Sequence, residues 1–358
     1  MAEKEGRTEY EFTYTYDNFT VFFYGERVFV GKKDYPVGQC CVDILNLDDA
    51  LFDEINRRVK DFVPAACNLL IEKTDSAAVL TQEKLSAIWD LIFTLPVYRD
   101  LKMDGPCNYH MFQRLMEDQE KWAQVQNPTS DGYFKYHGML YELLCFAERL
   151  RSLKKMIATL TEKCLEPLKC RSSAAYAEAY SNFYIRILSA GIQVFGDDFE
   201  QSVPVDVSFV PMMHPTEEGA VFIAEKATFG TLMGFLQIEF YRGLAMGNAP
   251  RRCHNCGRYF LLTSGYNICY CNNIAPGETE RTCRKVGAHR KEAQGKGSRT
   301  PAQKEYDRTY NRLKVRKQRG KISKDEWNAA VAKAQELVAQ SERGKLSDDE
   351  LKQKLEEL

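Results

Sequence analysis

Five cysteines fall within the 31 residues from Cys253 to Cys283, and no other feature constrains the fold of this 358-residue chain as tightly. Four of them, Cys253, Cys256, Cys271 and Cys283, follow the pattern C-x2-C-x14-C-x11-C. Thiolates at such spacing suit tetrahedral Zn2+, because a pair two residues apart supplies two ligands from one tight knuckle. Gly257 follows the knuckle and can take the positive φ it requires. Arg258-Tyr-Phe-Leu-Leu has strand propensity. After a Ser264-Gly265 turn, Tyr266-Asn-Ile-Cys-Tyr is expected as a return strand that delivers Cys271 at its end. Thr282-Cys283-Arg284-Lys285 reads as a helix start, so the segment has the knuckle, hairpin and helix N-terminus of a treble clef. Four thiolates leave no open coordination position, which makes the expected metal structural.

Alternation in a strand puts Cys269 and Cys271 on one face, so Cys269 competes for the third position. Cys271 is favoured because it ends the strand, where the chain can turn toward the metal. His254 inside the knuckle and His289 beyond the helix start are lesser donors. A redox C-x-x-C pair would account for only two of these cysteines. A polar, Gly-rich segment of this kind needs a metal to hold it together. The other seven cysteines, Cys40, Cys41, Cys67, Cys107, Cys145, Cys164 and Cys170, lie in apolar or helical surroundings and read as reduced core residues. The N-terminus has no apolar signal region, and no run of residues is apolar enough to span a bilayer. The expectation is a soluble, cytoplasmic protein without a membrane partner.

The chain is expected to be α+β and predominantly α, in three parts: a helical body over 1–250 with small β elements, a four-cysteine zinc finger over 251–299, and a helical tail over 300–358. Tyr-, Phe-, Thr- and Val-rich runs over 9–31, separated by Asp17-Asn18 and Gly25-Glu26, predict a small antiparallel sheet. Leu51, Ile55, Val59 and Phe62 keep helical spacing. Further helices are expected over 81–94, 108–124, 136–165 and 172–195, and Leu140, Leu143, Leu144, Phe146, Leu150 and Leu153 share one face of the third. Strands are expected over 203–225 around a Thr216-Glu-Glu-Gly turn, followed by a helix over 228–246. In the tail, Arg319-Gly-Lys-Ile-Ser-Lys-Asp-Glu returns 24 residues later as Arg343-Gly-Lys-Leu-Ser-Asp-Asp-Glu. Each copy pairs a helix-ending glycine with a Ser-x-x-Glu capping box. Helices over about 301–318, 324–342 and 348–357 follow.

Residues 229–290 resemble the C-terminal part of bacterial CGNR-type zinc-finger proteins. The residues that carry the likeness are Arg252-Cys253, Cys256-Gly257, Phe260, Tyr270-Cys271 and Cys283-Arg284-Lys285. The chain is most similar to a related, uncharacterised bacterial and phage-associated group with a long helical N-terminal region. The Gly-Asn-Arg that follows the last cysteine in CGNR-type proteins is replaced here by Arg284-Lys285-Val286-Gly287. The resemblance implies a treble-clef-like zinc domain with a DNA-binding or regulatory role.

Charge points the same way. Residues 1–250 hold 25 Lys and Arg against 36 Asp and Glu, whereas 251–324 hold 19 against 5. A basic block in an otherwise acidic chain suits an anionic partner. Arg281, Arg284, Lys285, Arg290, Lys291, Arg312, Arg316 and Lys317 are the candidate nucleic-acid contacts, since each phosphate contact releases counterions. Tyr306 and Tyr310 could stack on bases or pack in a core. The competing reading is a protein-interaction module, in which finger and tail are structural or docking elements and Leu351, Leu355 and Leu358 pack on the body or a partner. Phosphate-binding loops and hydrolase motifs are absent from the sequence, and His110, His137 and His214 stand apart from any recognisable nucleophile. No enzymatic activity is expected.

Overall fold

The structure, a computed structural model, describes residues 19–101, 111–190, 203–213, 219–263, 267–297 and 299–358. The expected strand over 9–18, the Ser264-Gly265 turn, Cys107, His110 and His214 lie outside these residues, as does most of the Thr216-Glu-Glu-Gly turn. The chain is α+β and predominantly α, and it divides into two compact units, Met1–Cys271 and Asn272–Leu358.

In the first unit, β1 (Phe19–Tyr24), β2 (Arg27–Val30) and β3 (Lys33–Pro36) form a meander. Among the described residues the chain then passes through α1 (Gln39–Leu45), α2 (Asp49–Glu72), α3 (Asp75–Ile92), α4 (Pro96–Leu101), α5 (Met111–Glu117), α6 (Gln119–Gln126), α7 (Asp131–Leu160) and α8 (Ser173–Ala190). It returns as the hairpin β4 (Val205–Met213) and β5 (Val221–Phe229), then α9 (Leu232–Ala245) and a further hairpin, β6 (Ala249–Arg252) with β7 (Tyr259–Leu262). The larger sheet is antiparallel in the order β3-β2-β1-β5-β4, because β5 lies against β1 with Phe19 opposite Phe229. Strand alternation sends Phe19, Val21, Phe23, Val28, Val30, Ala227 and Phe229 to one face, where they join the helical core.

The helices start where local chemistry says they should. Asp48, Thr74, Asp118, Ser130 and Thr231 each accept a hydrogen bond from a backbone N–H in the first turn of α2, α3, α6, α7 and α9. Asp118 also divides the single helix expected over 108–124 into α5 and α6. α7 buries Leu140, Leu143, Phe146 and Leu150 as expected, whereas Leu144 is exposed. It runs on into one π-helical turn, Thr161–Leu165, closed by the Glu166 N–H bonding the Thr161 carbonyl at 2.8 Å. Cys40 and Cys41 are core residues, but Cys67 and Cys170 are exposed, so the core reading of the scattered cysteines holds only in part.

The second unit contains α10 (Cys283–Gly297) and the tail helices α11 (Pro301–Gln318), α12 (Lys324–Glu342) and α13 (Asp348–Glu356). Ser323 with Glu326 and Ser347 with Glu350 form the expected capping boxes. Gly320 and Gly344 take the positive φ that ends the preceding helices. Ala302, Ala334, Leu337, Leu351 and Leu355 make a small core, with Tyr306, Val338, Leu346 and Leu358 packed on it. Leu351 and Leu355 of α13 are therefore buried within this unit, and Leu358 packs on them. No helix among the described residues is long and apolar enough to cross a membrane.

Candidate metal centre

The knuckle is the connection between two strands. β6 and β7 pair antiparallel with Arg252 opposite Tyr259, and residues 253–258 cross between them. The Cys253 N–H bonds the Arg258 carbonyl at 2.8 Å, and the Gly257 N–H returns to the Cys253 carbonyl at 2.9 Å with φ of 74° at Gly257. This corrects the sequence reading, in which β7 pairs with a following strand. The described part of that segment, 267–270, is not a strand, and the pair β6-β7 makes up the whole of this small sheet. The His254 N–H instead bonds the Cys269 carbonyl at 2.9 Å, and this brings Cys271 back so that its N–H meets the Cys253 sulfur at 3.3 Å.

Cys283 reaches the cluster as the first residue of α10. A short antiparallel bridge between Ile274 and Thr282 closes the loop before it, and the Cys283 N–H bonds the Asn273 carbonyl at 2.8 Å. The Thr282 hydroxyl accepts the Lys285 N–H at 3.4 Å. The sulfurs of Cys253, Cys256, Cys271 and Cys283 all lie within 4.8 Å of one another. Cys253, Cys271 and Cys283 are buried and Cys256 is half-buried. A tetrahedron with metal–sulfur bonds of about 2.3 Å has edges of about 3.8 Å. The Cys256–Cys271 sulfur separation is 3.7 Å. Burial pushes the Cys253 thiol up, but the N–H groups of Cys271, Cys256 and Asn255 outweigh it and bring the group to about 7. The donor set and its spacing fit one soft or borderline divalent ion.

Cys269 is outside this group. Its sulfur is 3.3 Å from Arg251 Nη2. His254 and His289 are exposed and also outside it. His137, on α7, has its ring 4.1 Å from that of Tyr133, and burial lowers its pKa.

Polar contacts invisible to motif reading hold the β6–β7 hairpin in place within the first unit. The Tyr259 N–H bonds Asn46 Oδ1 at 2.8 Å, and Asn46 Nδ2 returns to the Tyr259 carbonyl at 2.9 Å, so the C-cap of α1 mimics a neighbouring strand. The π turn presents Glu162 to the Tyr259 hydroxyl at 2.6 Å, and Glu166 just past it accepts the Arg252 N–H at 2.9 Å. Glu239, fully buried on α9, accepts the N–H groups of Gly38, Cys40 and Cys41 at the start of α1. The i, i+4 spacing of Glu162 and Glu166 resembles any exposed helical pair, so the sequence holds no signal for them.

The basic candidates divide. Arg281 is bound by both Glu278 oxygens, at 2.5 and 2.9 Å. Arg312 Nη2 bonds the Leu355 carbonyl at 2.5 Å and Arg316 Nη1 the Leu358 carbonyl at 2.8 Å, so both cap the end of α13. Lys317 sits 4.1 Å over the Trp327 ring. Tyr306 and Tyr310 pack, the latter with its ring 5.9 Å from Trp327. Arg284, Lys285 and Arg290 lie exposed on α10, and the Lys291 side chain is outside the described residues.

Residues 200–358 match the model of a family described as a family of unknown function (DUF6076). That match takes in the cluster and the tail, and does not show the CGNR-type likeness expected from the sequence. No curated protein and no solved structure matches the chain.

Proposed function

We propose that the four thiolates hold one Zn2+ as a structural centre, and that the finger they close presents α10 to nucleic acid in an accessory or regulatory role. The observation that carries this is the sulfur quartet itself, mutually within 4.8 Å and largely buried. Four sulfurs with no open position suit a structural zinc ion, not a catalytic one. Arg284 and Lys285 support the second half of the reading. They stand exposed in the first turn of α10, directly after the ligand Cys283, and neither forms an ion pair among the described residues.

The commitment of Arg312, Arg316 and Lys317 to internal contacts favours a structural role for the tail. Elemental analysis is expected to give one zinc per chain, lost in Cys283→Ser. Duplex and single-stranded oligonucleotides titrated with salt test the partner. The double variant Arg284→Ala/Lys285→Ala should weaken binding and lower the slope of log K against log salt by about 2. Absence of binding at low salt would eliminate nucleic acid and leave the protein-interaction reading.

A further inference from the structure

We infer that the first unit contains a buried site for a small oxyanion of the phosphate class, built by Arg171, Arg251 and the hydroxyl of Tyr176. Arg171 lies between the π turn and α8, and Arg251 on β6; each is 4% exposed, and Tyr176 is fully buried. Among the described residues, the two guanidinium groups donate only to uncharged acceptors. Arg171 donates to the Leu165 carbonyl and, at 2.6 Å, to the Glu166 carbonyl. Arg251 donates to Asn267 Oδ1 and, at 3.3 Å, to the Cys269 sulfur. Neither forms an ion pair among the described residues. Both Nε atoms are buried without a hydrogen-bond partner among the described residues, and the buried Tyr176 hydroxyl has only the Arg171 guanidinium beside it.

The three groups share one neighbourhood. The Glu166 carbonyl receives Arg171, while its carboxylate receives the N–H of the Arg251–Arg252 peptide. Arg251 opposes the charge on Arg171, and both arginines act on Tyr176. A guanidinium cannot shed its proton to escape burial. Neutral acceptors return only part of the desolvation cost of an ion, and two like charges side by side add to it. The Glu166 carboxylate offsets part of the charge on Arg171, and an oxyanion of the phosphate class answers what remains on both guanidinium groups at once. Oxyanions also fit the guanidinium fork and accept from a hydroxyl.

The test uses the full chain. Unfolding midpoints are followed against inorganic phosphate, adenosine 5′-monophosphate, acetate and sodium chloride at matched ionic strength. Phosphate should raise the midpoint saturably and chloride should not. Tyr176→Phe keeps the ring and should weaken phosphate about tenfold, and Arg251→Met should abolish the saturable response. A response to phosphate alone assigns a free ion. A stronger response to the mononucleotide assigns an esterified phosphate; both support the site. Phosphate acting no better than chloride or acetate, or acting equally on Tyr176→Phe, would overturn it. If Arg251→Met does not fold, the Tyr176→Phe comparison decides.

Discussion

Glu239→Gln tests the deepest of the contacts that place the knuckle. In the folded protein, Glu239 Oε1 accepts the Gly38 N–H at 2.6 Å and the Cys40 N–H at 3.1 Å, and Oε2 accepts the Cys41 N–H at 3.1 Å. These donors lie at the start of α1, where no helical carbonyl can take them. No side chain of the α1 N-cap residue, Gly38, serves them either. The amide of glutamine retains one oxygen, enough for Gly38 and Cys40, and turns an NH2 toward the Cys41 N–H. One buried donor loses its acceptor and the new amide donors need partners, which should cost about 2–4 kcal/mol. Glu239→Ala strips all three donors, and its cost should reach or exceed about 4 kcal/mol.

The pH dependence gives a second readout. Burial raises the Glu239 carboxyl above its ordinary value, against the opposing pull of the Cys41 thiol and the three N–H groups. A carboxyl whose folded pKa is raised holds its proton longer in the folded than in the unfolded state. Wild-type stability contributed by this group therefore falls as pH rises from the ordinary carboxylate range through the raised folded value. The glutamine variant should lose that slope. Urea unfolding across this range, with amide exchange at Gly38, Cys40 and Cys41, measures both effects. If Glu239→Gln stays within about 0.5 kcal/mol of wild type and those amides exchange no faster, the capping argument is wrong.

Cys253→Ser, Cys256→Ser and Cys271→Ser should each lose zinc to a colorimetric chelator far faster than wild type, while Cys269→Ser should retain it. Equal retention in Cys271→Ser and Cys269→Ser would refute the ligand assignment. Leu351→Ala hollows the small tail core and should cost about 2–5 kcal/mol, seen as faster exchange confined to α11–α13. Asp100, held by Lys33 Nζ at 2.6 Å and the Tyr35 hydroxyl at 2.7 Å, keeps a lowered pKa despite its burial. Its contribution is present above the unfolded carboxylate value and is lost as pH falls through the lower folded one. Asp100→Asn should therefore destabilise the protein at neutral pH, with the difference shrinking under acid unfolding conditions; a pH-independent difference would refute this.

How much is legible in the sequence depends on whether the signal is local. The tail helices α11 and α12 fall on their expected limits because Thr300, Ser323 and Gly320 act within one turn of chain. The four clustered cysteines are legible for the same reason, since two-residue spacing and a following glycine already describe a knuckle. The pairing of β7 is hidden because its partner β6 contains Pro250 and two arginines, which do not read as a strand. Arg251 instead buries its guanidinium among Asn267 and Cys269. The internal partners of part of the basic block are hidden for a related reason. Composition registers a charge but not its partner, and Arg312 and Arg316 spend theirs on the carbonyls of Leu355 and Leu358, about 40 residues further along the chain.

The long-range contacts that escape sequence reading also bear on what the metal has to do. β6 and β7 are tied to the first unit by Asn46, Glu162 and Glu166, and α1, which carries Asn46 at its C-cap, is itself anchored at its other end by Glu239. Cys253 and Cys256 are thus set on a hairpin that these protein contacts already tie to the first unit. Cys283 depends on a much lighter scaffold, the bridge between Ile274 and Thr282 and the Asn273 carbonyl. An ion bound by the quartet therefore orders mainly the loop leading into α10, which is where the exposed Arg284 and Lys285 stand. Under the proposed function, metal affinity and the order of that basic turn would be linked through the Cys283 sulfur, so any treatment that frees it should disturb α10 before it disturbs the helical core around Glu239.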